Sequence, residues 1–446
     1  MRTLALTAAV IAAAALPYAP LGIGVPVVAL LVAATVGVAV RRSLDTLLFG
    51  TLALGLALMP VLLDAGWVMA IDLAGACVLA TVAVAGPRVW ALAAPVRALD
   101  ALPELVPSPP SGSVAPLRGL ALGVVLVLPF GGLFWSADAA FAELAGGLPT
   151  PPLSTLPGRV AVFALVLAGA LGLALAAKRV LAEPALPAAP TLGLAEWAIP
   201  LVLLDLLFLA FVSVQVTVLF GGHGHVLETA GLTYAEYARE GFWQLLAASV
   251  LTLAVVGAAT RVAGVAPSSA RLLRLLLGTL CLLTLVVVAS ALHRLQLYEE
   301  AFGLTRLRLV AETFALALGA LFVLVLAAGA TRAVRGEIAR IVLAGGALGL
   351  IAFSVSNPDG RVAERNVDRW SRTGDLDIAY VQGLSADAVP ALAGLPEPLR
   401  SEVLAPHRAR LDRDEPFTSA NLARHRARDL LASGAREPAR APSRAR

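Results

Sequence analysis

The sequence is dominated by stretches of roughly 20 consecutive apolar residues, the length that an α-helix needs to cross the hydrocarbon core of a bilayer. Apolar residues make up 59% of the 446-residue chain and charged residues only 14%, whereas soluble domains carry roughly 25% charged residues. We therefore predict an all-α fold, a polytopic transmembrane helical bundle with about eleven spans. The apolar stretches cover residues 4–16, 21–40, 46–63, 67–85, 117–135, 160–181, 194–220, 242–262, 272–292, 309–330 and 338–355.

Three parts of the chain differ in composition. Residues 1–356 hold the predicted spans, residues 357–432 are charged, and residues 433–446 are rich in Arg, Ala and Pro. Asn357 followed by Pro358 has the form of a helix N-cap with proline in the first turn, and Ser385 and Ser419 each precede a helix-compatible stretch. We predict a membrane bundle, a helical extramembrane tail of three or four helices, and a disordered terminus.

The orientation follows from charge in the short loops. Basic residues such as Arg88 and Arg335 fall in one set of alternating loops, whereas acidic residues such as Asp64 and Glu299 offset fewer bases in the other set. Because positive charge near span ends is retained in the cytoplasm, the N-terminus is predicted to be cytoplasmic and the tail extracytoplasmic. The arginines of the tail favour the opposite side, but long segments translocate largely regardless of charge. The first apolar stretch is interpreted as a span rather than a cleaved signal, because no clean cleavage site precedes Pro17.

Composition and motifs argue against several functions. The net charge of +4 comes almost wholly from loop and tail arginines, so no nucleic-acid partner is predicted. No P-loop, H-E-x-x-H, G-x-S-x-G or C-x-x-C-H pattern occurs, so we predict no catalytic residue and no cofactor. His223 and His225 have Glu228 nearby, but their Gly-rich loop offers no fourth ligand and is interpreted as a hydrophilic loop, not a metal site.

Asp205 is the clearest ionisable residue inside a predicted span. A charge near the bilayer centre costs several kcal/mol, so such residues are usually kept for a reason. Asp205 is therefore a candidate for proton or substrate coupling, and the alternative is a protonated side chain that bonds a neighbouring helix. Asp72 and Glu312 lie nearer predicted span ends, where we expect water to reach them.

A second candidate site, the outer polar cluster, combines two segments predicted to lie on the outer side. Residues 293–308 are interpreted as a polar loop between two spans, and residues 357–369 as a helix with a charged face. The loop either pins two helices or forms half of a site; the helix either faces solvent and lipid headgroups, packs onto the loop, or binds an anionic ligand. The cluster consists of His293, Arg294, Tyr298, Glu299, Arg306, Arg308, Asn357, Asp359, Arg361, Asn366, Asp368 and Arg369.

Four segments carry a family resemblance: residues 234–243, 297–308, 357–369 and 384–392. In this order they resemble the bacterial membrane-protein family called domain of unknown function 4173, with a weaker likeness to its relative 4153. The resemblance implies a multi-spanning bacterial membrane protein, and it carries no established activity.

Together these observations predict an uncharacterised protein of the bacterial cytoplasmic (inner) membrane. The leading hypothesis is a non-enzymatic, partner- or ligand-binding or regulatory component that contacts membrane lipid and an envelope protein, with its oligomeric state left open. The alternative is a secondary transporter or permease that uses Asp205 and the outer polar cluster. An intramembrane enzyme ranks third and requires a water-filled cavity lined by His293, Glu299 or Asp359.

Overall fold

The computed structural model describes residues 2–17, 19–38, 40, 43–87, 156–178, 193–220, 242–263 and 269–434. Within these ranges the regular structure is helical and no strand occurs, which confirms the all-α fold. The predicted span at residues 117–135, the His223–His225 loop, most of the first family segment and residues 435–446 lie outside the described residues.

Ten helices correspond to apolar stretches of the described sequence. They are α1 (Arg2–Ala15), α2 (Gly24–Gly37), α3 (Leu44–Leu62), α4 (Gly66–Ala85), α5 (Leu156–Lys178), α6 (Leu194–Phe220), α7 (Phe242–Val262), α8 (Ala270–Phe302), α9 (Arg306–Ala330) and α10 (Arg332–Val355). Among the described residues, seven helices are long and apolar enough to cross a membrane: α3, α4 and α6 to α10. Shorter apolar helices lie within α1, α2 and α5.

The segment at residues 293–308 is mostly helix, which corrects the predicted loop. No Gly or Pro interrupts the chain between Leu292 and Phe302, so α8 continues to Phe302. Gly303 then ends the helix with a φ of 77°, and Thr305 caps α9 by accepting a hydrogen bond from the Arg308 amide. Only residues 303–305 therefore link α8 to α9.

The charged tail also folds as helices. They are α11 (Pro358–Thr373), α12 (Ile378–Gln382), α13 (Val389–Leu392), α14 (Leu399–Leu411) and α15 (Leu422–Gly434), with 3-10 turns at Ala386–Ala388 and Phe417–Ser419. Val381, Leu392 and Leu404 are buried, so the tail has an apolar core of its own.

The chain divides into two compact units. Unit 1 comprises Met1–Pro184, Leu350–Gly360 and Ile378–Arg446, and it contains α1 to α5, the end of α10 and most of the tail. Small residues let its helices approach closely. A Cβ added at Gly75 of α4 would lie 3.0 Å from the side chains of Leu56 and Leu350.

Unit 2 comprises Ala185–Gly349 and Arg361–Asp377. Trp197 and Leu201 of α6 pack with Leu280 of α8 and Phe322 of α9 in its core. The opposite face of α6 exposes large apolar side chains such as Leu207, as expected of a helix that contacts lipid.

Candidate functional site

Arg424 of α15 is the centre of a buried polar network in unit 1. Its side chain is only 4% exposed and forms ion pairs with Asp64, in the α3–α4 turn, and with Glu415, where the Nε–Oε2 distance is 3.0 Å. The guanidinium also donates to the backbone carbonyls of Leu21 and Ser419. One side chain thus connects the tail to the turns after α1 and α3.

Asn421 joins the same tail helix to the end of α3. As the N-cap of α15 it accepts a hydrogen bond from the Arg424 amide at 3.0 Å. Its Nδ2 donates to the carbonyls of Pro60 and Leu63, at 2.7 and 2.6 Å. Carbonyls at a helix C-terminus lack partners within the helix, so Asn421 satisfies groups that would otherwise be buried unpaired.

Asp64 and Asp387 hold the α3–α4 turn against the tail through reciprocal bonds. The Asp64 amide donates to Oδ2 of Asp387 at 2.8 Å, and the Ala386 amide donates to Oδ2 of Asp64 at 3.1 Å. Burial raises the pKa of Asp387 to about 6, although the hydroxyl of Ser385 donates to the same Oδ2 and opposes the shift.

Asp359, at the start of α11, completes this network. Its Oδ2 accepts from the Ser385 amide at 2.8 Å, and its Oδ1 accepts from Nε1 of Trp67 at 3.0 Å. Trp67 is in the first turn of α4, so the end of α10 and the α3–α4 turn lie at the same end of unit 1. We call Asp64, Asp359, Asp387, Asn421 and Arg424 the tail latch.

Asn357 makes the sharp change of direction between α10 and α11. Its φ of 55° lies in the left-handed region, and its Oδ1 accepts from the Gly360 amide at 3.1 Å, the bond of the predicted N-cap. A Cβ at Gly360 would clash with the side-chain amide of Asn357, so glycine permits this close approach. Nδ2 of Asn357 also donates to the Asp387 carbonyl.

A pocket of about 280 Å³ lies beside the latch in unit 1. The ends of α3 and α10 supply Met59, Leu62, Leu63 and Val355 to its wall, and the tail supplies most of the rest. The remaining lining residues are Asn357, Ala386, Asp387, Pro390, Leu422, Ala423 and Arg426.

In unit 2, Asn366 and Arg369 of α11 bind the α8–α9 turn. Nδ2 of Asn366 donates to the Leu304 carbonyl at 2.7 Å, and Arg369 donates to the Ala301 carbonyl at 3.0 Å. A Cβ at Gly303 would lie 2.5 Å from Oδ1 of Asn366, so this contact also depends on a glycine. The helix and the segment before α9 thus pack together, one of the alternatives that the sequence left open.

The structure divides the outer polar cluster between the two units. In unit 2, Arg308 lies over the Tyr298 ring with 4.1 Å to its centroid, and Glu299 lies within electrostatic range of Arg308 and Arg361. The remaining members of the cluster in unit 2 are His293 and Arg294, half-buried on α8, Arg306, the first residue of α9, and Asp368, exposed on α11. Asn357 and Asp359 belong instead to unit 1 and contribute to the contacts of the tail latch.

Asp72 and Asp205 each lie well inside a helix that is long and apolar enough to span a membrane. Asp205 is buried in unit 2, and its Oδ1 has no hydrogen-bond partner among the described residues; the same holds for Nε1 of Trp197, two turns away on the same face of α6. Asp72 was expected to be reached by water, but it is fully buried in unit 1 and accepts hydrogen bonds from the Ser354 hydroxyl at 2.8 and 3.0 Å. Close packing of α4 against the end of α10 excludes water there.

Sequence reasoning missed Asp64, Asp387, Asn421 and Arg424 as members of a site. The one sequence signal was weak: Asn421 is a residue type common at helix N-caps, but it lies two positions beyond Ser419, which was the predicted cap. The bonds that join the tail to the α3–α4 turn link residues more than 300 positions apart, as in the Asn421–Pro60 bond, and no local pattern in the sequence reports such contacts.

The long apolar helices and the helical tail define a polytopic α-helical integral membrane protein. The family described as "Domain of unknown function (DUF4153)" matches residues 50–395, so the chain belongs to that family. The sequence resemblance favoured the family called domain of unknown function 4173, whereas the family that matches is its relative, 4153. No curated protein and no solved structure matches the chain.

Proposed function

We propose that this protein is a non-enzymatic binding component of the bacterial inner membrane, whose tail presents a recognition surface to an envelope partner or ligand on the extracytoplasmic side. The observation that carries the proposal is the tail latch. Five side chains and several backbone groups hold the tail at one end of unit 1 with buried, directional bonds. Such bonding keeps the part of the tail that belongs to unit 1 in one orientation, which lowers the entropic cost of binding there.

Charge on the outside of the tail suits recognition. The side chains of Arg365, Asp368 and Arg372 on α11 are exposed. Asn366 and Arg369 on the same helix instead donate hydrogen bonds to backbone carbonyls at the α8–α9 turn. Exposed charges steer association and select partners at little cost in folding stability. These three exposed side chains, of which Asp368 belongs to the predicted outer polar cluster, form the proposed recognition surface, and the α8–α9 turn holds their helix within unit 2.

The short-loop charges and the contacts of unit 1 both support an outer position for the tail. Because Asp359 bonds Trp67, the tail begins at the same end of unit 1 as the α3–α4 turn, which the charge rule assigns to the outside. Labelling of cysteines introduced at Arg408 and at Arg332 with an impermeant reagent tests this assignment. Labelling of position 408 only after the cells are opened would contradict it.

The recognition surface is tested by the double variant Arg365→Gln, Arg372→Gln in a deletion strain. A photo-crosslinker at position 368 should give a discrete product with the native chain, and the double variant should lose most of it and fail to complement. Neutral glutamine leaves the latch untouched.

The matched control is Arg332→Gln, because Arg332 is exposed at the opposite end of α10. The control should keep the native product and phenotype. If the double variant crosslinks and complements as well as the control, this surface is not the recognition site.

A second candidate function, secondary transport, is favoured by Asp205 and Trp197. A buried polar atom without a partner costs about 1–3 kcal/mol, and two of them on one face of a spanning helix suit a polar species that passes between helices. Proton-coupled uptake into proteoliposomes should be abolished by Asp205→Asn and weakened by Trp197→Phe. Unchanged proton coupling in Asp205→Asn would end this hypothesis.

A further inference from the structure

The pocket beside the tail latch lies at the ends of two helices that are long enough to span a bilayer, which is where lipid headgroups are expected. These helices are α3 and α10, whose C-terminal ends form two of its walls. Val355 and Leu422 line it and are exposed apolar side chains. Its volume of about 280 Å³ lies at the lower end of ligand pockets, so it suits a headgroup rather than a whole lipid.

The charged groups of the pocket have opposite signs and different depths. Asp387 is 5% exposed, and both of its side-chain hydrogen bonds go to Oδ2, so Oδ1 accepts none from the described residues. Arg426 is exposed and forms no ion pair within the described part of the chain. A buried acceptor and an exposed cation thus line the same small space.

We propose that this pocket binds the headgroup of a bilayer phospholipid with a primary amine and a phosphate, of the phosphatidylethanolamine type. The ammonium group donates to Oδ1 of Asp387, and the phosphate pairs with Arg426. The first methylenes of the acyl chains lie along Leu62 and Val355. The proposal rests on the proposed function, since it assigns a lipid ligand to the tail of a binding component on the outer side of the membrane.

The charge pattern separates this lipid from other common ones. A choline headgroup has no N–H to donate to Asp387, and its three methyl groups add volume to a small pocket. A glycerol headgroup brings a phosphate but no cation, so the buried carboxyl meets no opposite charge. Free phosphoethanolamine has both charged groups but lacks the chains that contact the apolar wall.

The test is native mass spectrometry of the full-length protein with phosphatidylethanolamine, phosphatidylcholine and phosphatidylglycerol of identical chains, and with free phosphoethanolamine. We expect binding of the ethanolamine lipid to exceed that of the other two lipids about tenfold, the factor for one hydrogen bond to a charged group. Free phosphoethanolamine should bind far more weakly. Equal binding of the three lipids would overturn the proposal, and so would binding of free phosphoethanolamine as tight as that of the lipid.

Arg426→Gln is the main variant, because an exposed side chain without an ion pair is replaceable without loss of folding. It should lower the affinity for the ethanolamine lipid about tenfold through loss of the phosphate contact, whereas Arg413→Gln, an exposed arginine of the tail that does not line the pocket, should not. Asp387→Asn, checked by hydrogen exchange for a docked tail, should remove the preference for amine over choline.

An unchanged affinity of Arg426→Gln for the ethanolamine lipid would refute the site. These measurements use purified protein, so their failure is separate from failure of the recognition surface, which is read by crosslinking from α11 in cells.

Discussion

Replacement of Arg424 by alanine should detach the tail from the rest of unit 1. The guanidinium bonds Asp64, Glu415 and the Leu21 carbonyl, and its side chain is 4% exposed. Removal of one partner of a buried ion pair costs about 3–5 kcal/mol, because the remaining charge stays buried without compensation. Asp64 and Glu415 are themselves partly screened by solvent, so we expect the lower half of that range.

Hydrogen–deuterium exchange of the full chain in nanodiscs measures this loss. A change of about 3 kcal/mol corresponds to a fall of more than 100-fold in the protection of α12 to α15. Arg413→Ala should change protection less than threefold, since surface substitutions stay within about 0.5 kcal/mol. If the two variants differ by less than a factor of three, the latch does not hold the tail.

Three further perturbations test the contacts of the tail. Asn366→Ala should lower the stability of the α8–α9 turn by about 1–3 kcal/mol, because the Leu304 carbonyl loses its hydrogen bond. Gly303→Ala should lower it by at least as much, because the φ of 77° is strained for alanine and its Cβ clashes with Asn366. Amide exchange at the turn measures both effects. The pH dependence of tail protection should contain two opposing contributions. Asp387 has a pKa raised from 3.8 to about 6, so the folded state binds its proton more tightly and this contribution falls as pH rises from about 4 to 6. His407 has a pKa lowered from 6.5 to about 4 by burial and Arg410, so its contribution rises over about pH 4 to 6.5. Protection should therefore increase with pH in Asp387→Asn and decrease in His407→Gln, and parallel pH profiles in the two variants would contradict the assignment.

The spans were predictable because each is a local property. A stretch of about 20 apolar residues must form a helix in a bilayer, where no water can satisfy the backbone. The caps at Asn357 and Thr305 are local too, since one side chain bonds an amide three positions ahead. The end of α8 was missed because polar residues suggested a loop, although helix hydrogen bonding continues until Gly303 interrupts it.

The candidate site was predictable only in part. Asn357, Asp359, Asn366 and Arg369 were selected as polar residues of one segment, but their partners were not. Asn366 and Arg369 bind carbonyls of the α8–α9 turn, and a backbone carbonyl has no signature in a sequence. Asp359 bonds a tryptophan 292 positions earlier.

A helical membrane protein with a helical tail could thus be predicted from the residues alone, because hydrophobic length, charge and capping act between near neighbours. The three-dimensional contacts were needed to show that Arg424 and Asn421 fasten the tail, that Asp72 accepts hydrogen bonds whereas Oδ1 of Asp205 finds no partner among the described residues, and that the outer polar cluster divides between two units. Each of these features depends on contacts between residues that are far apart in the sequence. These buried polar groups need their partners, because an unpaired polar group in an apolar interior costs as much free energy as a lost hydrogen bond.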